Sequence, residues 1–212
     1  DNIVGSEVSD TINGFAVNDT IDGGLRHDRI DGGLGRDLMR GGLGDDTYVG
    51  FGKGDIIQDI GGNDTVLVVG KAGFRVLPND LENVIGGGRL TGNANNNLMV
   101  GGGGRDQFIG GAGDDTLVGG AGTDRLYGNA GADVFRYEGG GDAGRGLKAA
   151  DQLLDFQTGV DKLDLTTFGI TATQGHQFVK FAGGLVSVDA DHNGTVDFDI
   201  RVPGFNVDTD LL

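Results

Sequence analysis

"GGAGDDTLVGGAGTDRLYG", residues 110–128, sets paired glycines nine residues apart and an aspartate at the sixth place of each nine. Glycine costs backbone entropy wherever it is used, so its regular return marks positions that need its conformations. Outward from this stretch the beat persists. Frames of nine begin at Gly5, Gly14, Gly23, Gly32 and Gly41, with a degenerate sixth at Gly50. A second array begins at Gly92, Gly101, Gly110, Gly119 and Gly128. The sixth place reads Asp10, Asp19, Asp28, Asp37, Asp46 and Asp55, then Asn97, Asp106, Asp115, Asp124 and Asp133. Two places later every frame has an apolar or aromatic residue, from Ile12, Ile21, Ile30, Met39, Tyr48 and Ile57 to Met99, Phe108, Leu117, Leu126 and Phe135.

The rest of the composition narrows what such a chain can be. Its 212 residues hold 16 Lys and Arg against 32 Asp and Glu, a formal net charge of −16, and 29 of the acids are Asp. A surface that only had to be soluble would mix Asp with Glu; the bias asks for a short carboxylate in a tight turn. This charge, with no basic stripe along the chain, speaks against a nucleic-acid partner. Glycine supplies 45 residues and proline 2, which excludes a collagen-like helix. No apolar run approaches the ~18 residues of a membrane span, and no signal-peptide pattern opens the chain. With no cysteine, a secreted domain of this size is expected to be stapled by metal instead. Asp1 is not a start methionine, as expected of a piece cut from a longer protein.

The unit GGxGxDxUx resembles the nonapeptide of the RTX calcium-binding family, most closely at 32–49 ("GGLGRDLMRGGLGDDTYV") and 101–127 ("GGGGRDQFIGGAGDDTLVGGAGTDRLY"). The resemblance implies an all-β fold, a right-handed parallel β-roll over residues 1–137, with a C-terminal β cap and secretion-signal region over 138–212. Its two arrays, 5–58 and 92–136, would be joined by degenerate strands in 59–91. Six residues of each unit make a turn and three a short strand whose central side chain faces the core, so two units close a turn of about 18 residues. Stacked turns lie roughly 4.8 Å apart, which brings sixth-place aspartates of alternate frames together. Two carboxylates about 5 Å apart repel by roughly 3 kcal/mol at an effective dielectric near 20. A calcium ion between turns reverses that sign by taking carboxylate and carbonyl oxygens.

Frame arithmetic pairs Asp28 with Asp46, Asp19 with Asp37, Asp37 with Asp55, Asp106 with Asp124, and Asp115 with Asp133; Asp10 with Asp28 and Asn97 with Asp115 are weaker pairs. The family resemblance adds backbone carbonyls of places two and four. These are Gly24 and Arg26, Gly33 and Gly35, Gly42 and Gly44, Gly102 and Gly104, Gly111 and Gly113, Gly120 and Gly122, and Asn129 and Gly131. Frames 5 and 14 depart from the family by losing the second glycine.

Residues 59–91 drop the beat but keep strand character in "DTVLVV" (64–69), "FRVL" (74–77) and "ENVI" (82–85). "YEGGGDAGRGLKAA" (137–150) is a glycine-rich excursion with room for one short helical turn. "DQLLDFQTGVDKLDL" (151–165) resembles the segment after the roll in serralysin-type metalloproteases and alginate epimerases. That resemblance implies that Asp151, with Asp155, closes the last calcium site; ordinary strand-edge acids are the alternative. "DADHNGTVDFD" (189–199) begins like an EF-hand loop but puts Ile200 where a bidentate Glu is needed, so a β-hairpin turn is expected. "VDTDLL" (207–212) resembles the C-terminal ending of proteins that Gram-negative bacteria export by type I secretion.

No HExxH and no GxSxG occurs, and the three histidines, His27, His176 and His192, are scattered. The chain is expected to be non-catalytic. Two function classes follow. One is a calcium-binding module that folds outside the cell and serves as the C-terminal secretion and stabilisation part of a larger protein. The other is a calcium-dependent adhesin or polysaccharide-binding accessory module, which needs an exposed basic or aromatic stripe. Arg26, Arg36, Arg40, Arg105 and Arg125, in or beside the arrays, are its candidates.

Overall fold

Three residues of strand per nine leave room for little except short strands, and the structure consists of little else. It is a computed structural model that describes residues 1–52, 54–69, 72–139, 141–144, 146 and 148–212. Among these residues, one row of nine parallel strands runs from Thr11–Asn13 to Lys162–Asp164. Its neighbours are mostly 18 residues apart: Ile12 lies opposite Ile30, Ile30 opposite Tyr48, Tyr48 opposite Val66, and Met99 opposite Leu117. The chain returns by a second row. That row holds a four-stranded sheet, Asn2–Val4 to Ile56–Ile57, and an eight-stranded one that begins at Ala72–Val76. The fold is therefore the expected parallel β-roll.

Eighth-place side chains fill the space between the rows. Ile21, Ile30, Met39, Tyr48, Met99, Phe108, Leu117, Leu126 and Phe135 are fully buried and belong to one continuous core. Each makes a modest contribution, about 1.5–3 kcal/mol for a large apolar side chain. The core is one residue thick, so its strength lies in repetition.

The turns stack so closely that some places tolerate no side chain. At Gly42, φ is 107°, and a Cβ there would lie 2.1 Å from the Gly24 carbonyl oxygen of the turn below. This left-handed backbone persists at several places where glycine is missing. Phe15, Val17, Arg26 and Asn129, at second or fourth places, all have φ between 68° and 81°, an uncommon conformation for residues with a side chain.

Residues 59–91 keep the beat after all, under disguise. Nine beyond Asp55 stands Asp64, with Val66 two places on, and 18 beyond Asp64 stands Glu82, with Val84 two places on. Thr65–Leu67 and Asn83–Ile85 pair in that register. The interruption is a single short turn: Val84 pairs with Met99 and Arg75 with Leu90, each only 15 residues on. Deleting three residues removes a loop while leaving both strand rows in register. For this reason Gly102 and Gly104 have open space where a Cβ would point, unlike the glycines at the same places of other frames.

Parallel pairing continues past Tyr137 with longer turns, Leu126 opposite Leu153 and Phe135 opposite Leu163. Phe198–Arg201 then adds in parallel to Asp151–Leu153, and Leu185–Val188 and Val179–Ala182 follow antiparallel. Tyr137 stacks on Phe198 at 5.8 Å, and Phe156 lies between Phe135 and Phe205, so aromatic rings close the core. Within 137–150 the described residues form turns and no helix; Gly140, Arg145 and Leu147 lie outside them. The expected hairpin near 189–199 exists, but a nine-residue segment, 189–197, joins its strands in place of a tight turn at "DHNG".

Candidate metal centre

The sixth-place aspartates form two columns, one along each edge of the roll. In each, a carboxylate Oδ1 accepts the backbone N–H of the aspartate one turn below. Asp46 accepts from Asp28 at 2.7 Å, Asp37 from Asp19 at 2.9 Å and Asp55 from Asp37 at 3.1 Å. Asp124 accepts from Asp106 at 2.8 Å and Asp133 from Asp115 at 2.9 Å. All five favoured pairs are brought together, and so are Asp10 with Asp28 and Asn97 with Asp115, both at 2.8 Å. Asp151 joins the column by accepting from Asp124 at 2.7 Å, while Asp155 accepts from Gly128 and Asn129.

The second carboxylate oxygen is the informative one. Oδ2 of Asp19, Asp28, Asp37, Asp46, Asp64, Asp106, Asp115, Asp124 and Asp133 is buried without any hydrogen-bond partner. Burying a polar atom unpaired costs roughly 1–3 kcal/mol, more when it is charged, and here it recurs nine times among the described residues. Burial, with the like charges of neighbouring aspartates adding to it, pushes the carboxyl of Asp46 up to about 6, Asp115 to about 7, Asp124 to about 8 and Asp133 to about 6. Asp28 and Asp37 are raised for the same first reason.

Where a column ends or is interrupted, the same place is satisfied by hydrogen bonds. Asp10 Oδ2 accepts from the Ser6 amide and hydroxyl. Asp55 Oδ2 accepts from the Gly52 amide. Asn97 donates to the carbonyls of Leu81 and Glu82 and accepts from the Asn93 amide. Asp151 Oδ2 accepts from the Tyr137 hydroxyl at 3.2 Å.

Carbonyls of places two and four face the glycine loop one turn above. A Cβ on Gly42 or Gly44 would meet the oxygens of Gly24 or Arg26 at 2.1 Å. On Gly120, Gly122 or Gly131 it would meet those of Gly102, Gly104 or Gly113, and on Gly62 that of Gly44. Gly111 stands in register with Asn129. The Asn129 oxygen accepts from Gln157 Nε2 at 2.9 Å instead of facing a further glycine loop. The loops carrying Gly33 and Gly35 run up to residues 51–53, of which Lys53 lies outside the described residues. Buried unpaired carboxylate oxygens beside carbonyl oxygens, with no nitrogen or sulfur donor among them, suit a hard divalent cation such as calcium.

Sequence reasoning missed Asp59, Asp64, Glu82 and Asp161. Asp64 and Glu82 continue one column, Asp64 accepting from Asp46 and Glu82 from Asp64, and Asp161 accepts from Asp133 at its far end. Asp59 replaces a frame-opening glycine. Its carboxylate and those of Asp46 and Asp64 come within 4.8 Å of one another, and the Tyr48 hydroxyl donates to it at 2.8 Å. Counting nine onward from Asp55 would have found Asp64; nothing in the beat points to Asp161, 28 residues from Asp133. A second acidic group, Asp189, Asp191 and Asp197, lies in the C-terminal hairpin loop, where its oxygens accept backbone amides of residues 190, 191, 193 and 194.

A family model described as Peptidase M10 serralysin C terminal matches residues 6–202. No curated protein matches the chain.

Proposed function

The chain belongs to the serralysin C-terminal family of peptidase M10, and from that premise we propose that calcium drives its folding outside the cell, as the export and stabilisation module of a larger protein. The family's description as a serralysin C terminus supports reading the chain as the non-catalytic part of a larger protein. The observation that carries the reading is the set of nine buried, unpartnered Oδ2 atoms in stacked loops. Asp19, Asp28, Asp37, Asp46, Asp64, Asp106, Asp115, Asp124 and Asp133 would hold the ions, with carbonyls of the second and fourth places. Bound calcium would supply the positive charge that lets the carboxylates stack ionised.

Without it the columns oppose the very stacking that forms the core, and a composition of low hydrophobicity and high net charge lies close to that of disordered chains. Metal bound by the folded state alone adds its binding energy to stability. Extracellular calcium modules bind at around 10⁻⁴–10⁻³ M, so a chain of this kind stays extended in a bacterial cytosol, threads an exporter and folds on reaching calcium. No helix of the described residues is long and apolar enough to cross a membrane. Far-UV circular dichroism in EGTA and then in calcium up to about 10 mM tests the switch. A cooperative gain of β signal is expected; a full β spectrum in EGTA, indifferent to added calcium, would overturn it.

A further inference from the structure

The chain's few cations are not spread evenly. Arg89, Arg105, Arg125 and Lys148 line one cleft of about 300 Å³ together with Gln107 and Gln152, on a chain of formal net charge −16. Strand register sets their order. Arg89 pairs with Gln107, Gln107 with Arg125, and Arg125 with Gln152. The residues that follow them, Leu90, Phe108, Leu126 and Leu153, are buried in the core, so this ladder faces outward. The corresponding outward places on the nine-stranded row hold Thr11, Arg29, Thr47, Thr65, Asn83, Leu98, Thr116, Val134 and Lys162, so its two cations stand near opposite ends and no strand between them carries one. The basic ladder is therefore a local feature and not a consequence of the repeat. Arg105, Arg125 and Lys148 are exposed, and Arg105 and Arg125 form no ion pair among the described residues.

We propose that this cleft binds an acidic polysaccharide, a linear chain bearing one carboxylate per sugar. Guanidinium groups hold carboxylates through paired hydrogen bonds, and the glutamine amides between them donate to and accept from sugar hydroxyls. Strands lie about 4.8 Å apart, so guanidiniums alternating with amides recur every ~10 Å. A β-(1→4)-linked pyranose chain in its two-fold extended form turns every second sugar the same way, and its carboxylates return to one side over a comparable length. Tyr127, in register with Ile109 and on the same side of its strand as Arg125, borders the ladder with an aromatic ring suited to a sugar's C–H face. Polyphosphate and nucleic acid carry denser charge, which the aspartate columns and the net negative chain repel. Asp106 also borders the cleft, but its carboxylate is turned into the roll, where Oδ1 accepts the Gly88 N–H at 2.6 Å.

The proposal needs the folded roll and is independent of export. Its test is calorimetric titration of the calcium-saturated chain with a soluble β-(1→4)-linked oligouronate too short to gel, with the neutral oligosaccharide of the same linkage, and with inorganic polyphosphate. Saturable binding of the oligouronate alone is expected. Arg125→Gln combined with Lys148→Gln should weaken it by about tenfold or more, and Arg125→Lys, which keeps charge but loses the fork, by less. Circular dichroism in calcium checks the fold of each variant, and Arg105→Gln, outside the strand ladder, replaces any variant that fails to fold. Absence of oligouronate binding, equal or tighter binding of polyphosphate, or unchanged affinity in the folded variants would overturn the proposal. Failure of the calcium reading shows separately, as a dichroism spectrum indifferent to the metal.

Discussion

The frame that opens at Gly5 and the frame that opens at Gly110 repeat one unit, yet their aspartates live in different surroundings. Asp10 is half-exposed, and Ser6 satisfies its Oδ2 with an amide at 2.6 Å and a hydroxyl at 2.8 Å. Asp115 is 1% exposed, spends Oδ1 on the Asn97 amide and leaves Oδ2 without a partner. The same letter at the same place becomes a demand for a cation only when turns cover it on both sides. A sixth-place aspartate at the rim can use side-chain and backbone donors that the stacked interior lacks. The contrast can be broken or sharpened at several points, from the largest expected effect downward.

Acidity should act in opposite directions on the two forms of the chain. Burial raises the carboxyls of Asp115, Asp124 and Asp133 to about 7, 8 and 6, whereas unfolded aspartates titrate near ~3.9. The metal-free fold thus binds protons more tightly than the unfolded chain does. Its stability is greatest below about pH 4 and is lost as pH rises through roughly 6–8. With calcium the sign reverses, because protons compete with the ion for the same oxygens. Thermal melts near pH 5 and pH 8, with EGTA and with calcium, should therefore cross. A metal-free fold that is more stable at the higher pH would mean that the interior carboxylates are no liability, and the contrast with Asp10 would collapse.

Next in size are two alanines at the same place of adjacent frames. In Gly111→Ala, φ is 126° and the new Cβ would lie 2.1 Å from the Asn93 oxygen, so a loss of about 3 kcal/mol or more is expected. Gly102→Ala meets nothing within 4 Å, because the short turn removed the loop beneath it, and should stay within about 0.5 kcal/mol. Chemical denaturation in saturating calcium measures both. Equal losses would show that the glycines are required for something other than stacking.

These cases also show what could be read from the chain and what could not. Roll, core and pairing were legible because a nine-residue period carries all three: Leu117 and Asp115 declare core and column wherever the beat is intact. The passage through 59–91 was obscured because Asp59 stands where a frame-opening glycine is expected, Asp64 keeps only the fourth-place Gly62 of the pattern, and Glu82 follows no frame glycine at all. The register survives on strand pairing alone, and strand pairing is a property of two segments at once. Asp161 was invisible for a related reason, since its turn is 28 residues long and its alignment with Asp133 is set by the packing of Phe135 opposite Leu163. The basic ladder needed the same information. Arg89 and Arg125 lie 36 residues apart in sequence and become near neighbours only through Gln107.

A middling effect is expected from Asp115→Ala. It removes one unpartnered oxygen and the acceptor of the Asn97 amide, in the interior of its column. Calorimetric titration should show a reduced calcium stoichiometry, and stability in calcium should fall by about 1–3 kcal/mol. An unchanged stoichiometry would remove Asp115 from the ligand set and with it the reason for treating interior and rim as different.

The smallest change sharpens the rim side. Ser6→Ala deletes the hydroxyl that donates to Asp10 Oδ2 at 2.8 Å and keeps the amide that donates at 2.6 Å. Ser6 and Asp10 lie at an accessible end of the roll, so water can replace the hydroxyl and the loss should be under about 1 kcal/mol. Calcium stoichiometry should not move, because Asp10 already has donors and is not among the buried, unpartnered carboxylates. Titration of Ser6→Ala beside the parent chain reads this directly. If the variant instead binds an additional ion, the serine was holding a latent site closed, and the rim differs from the interior only by one hydroxyl. If it loses an ion, Asp10 was a ligand in spite of its hydrogen bonds, and accessibility would no longer separate the sixth places that need calcium from those that do not.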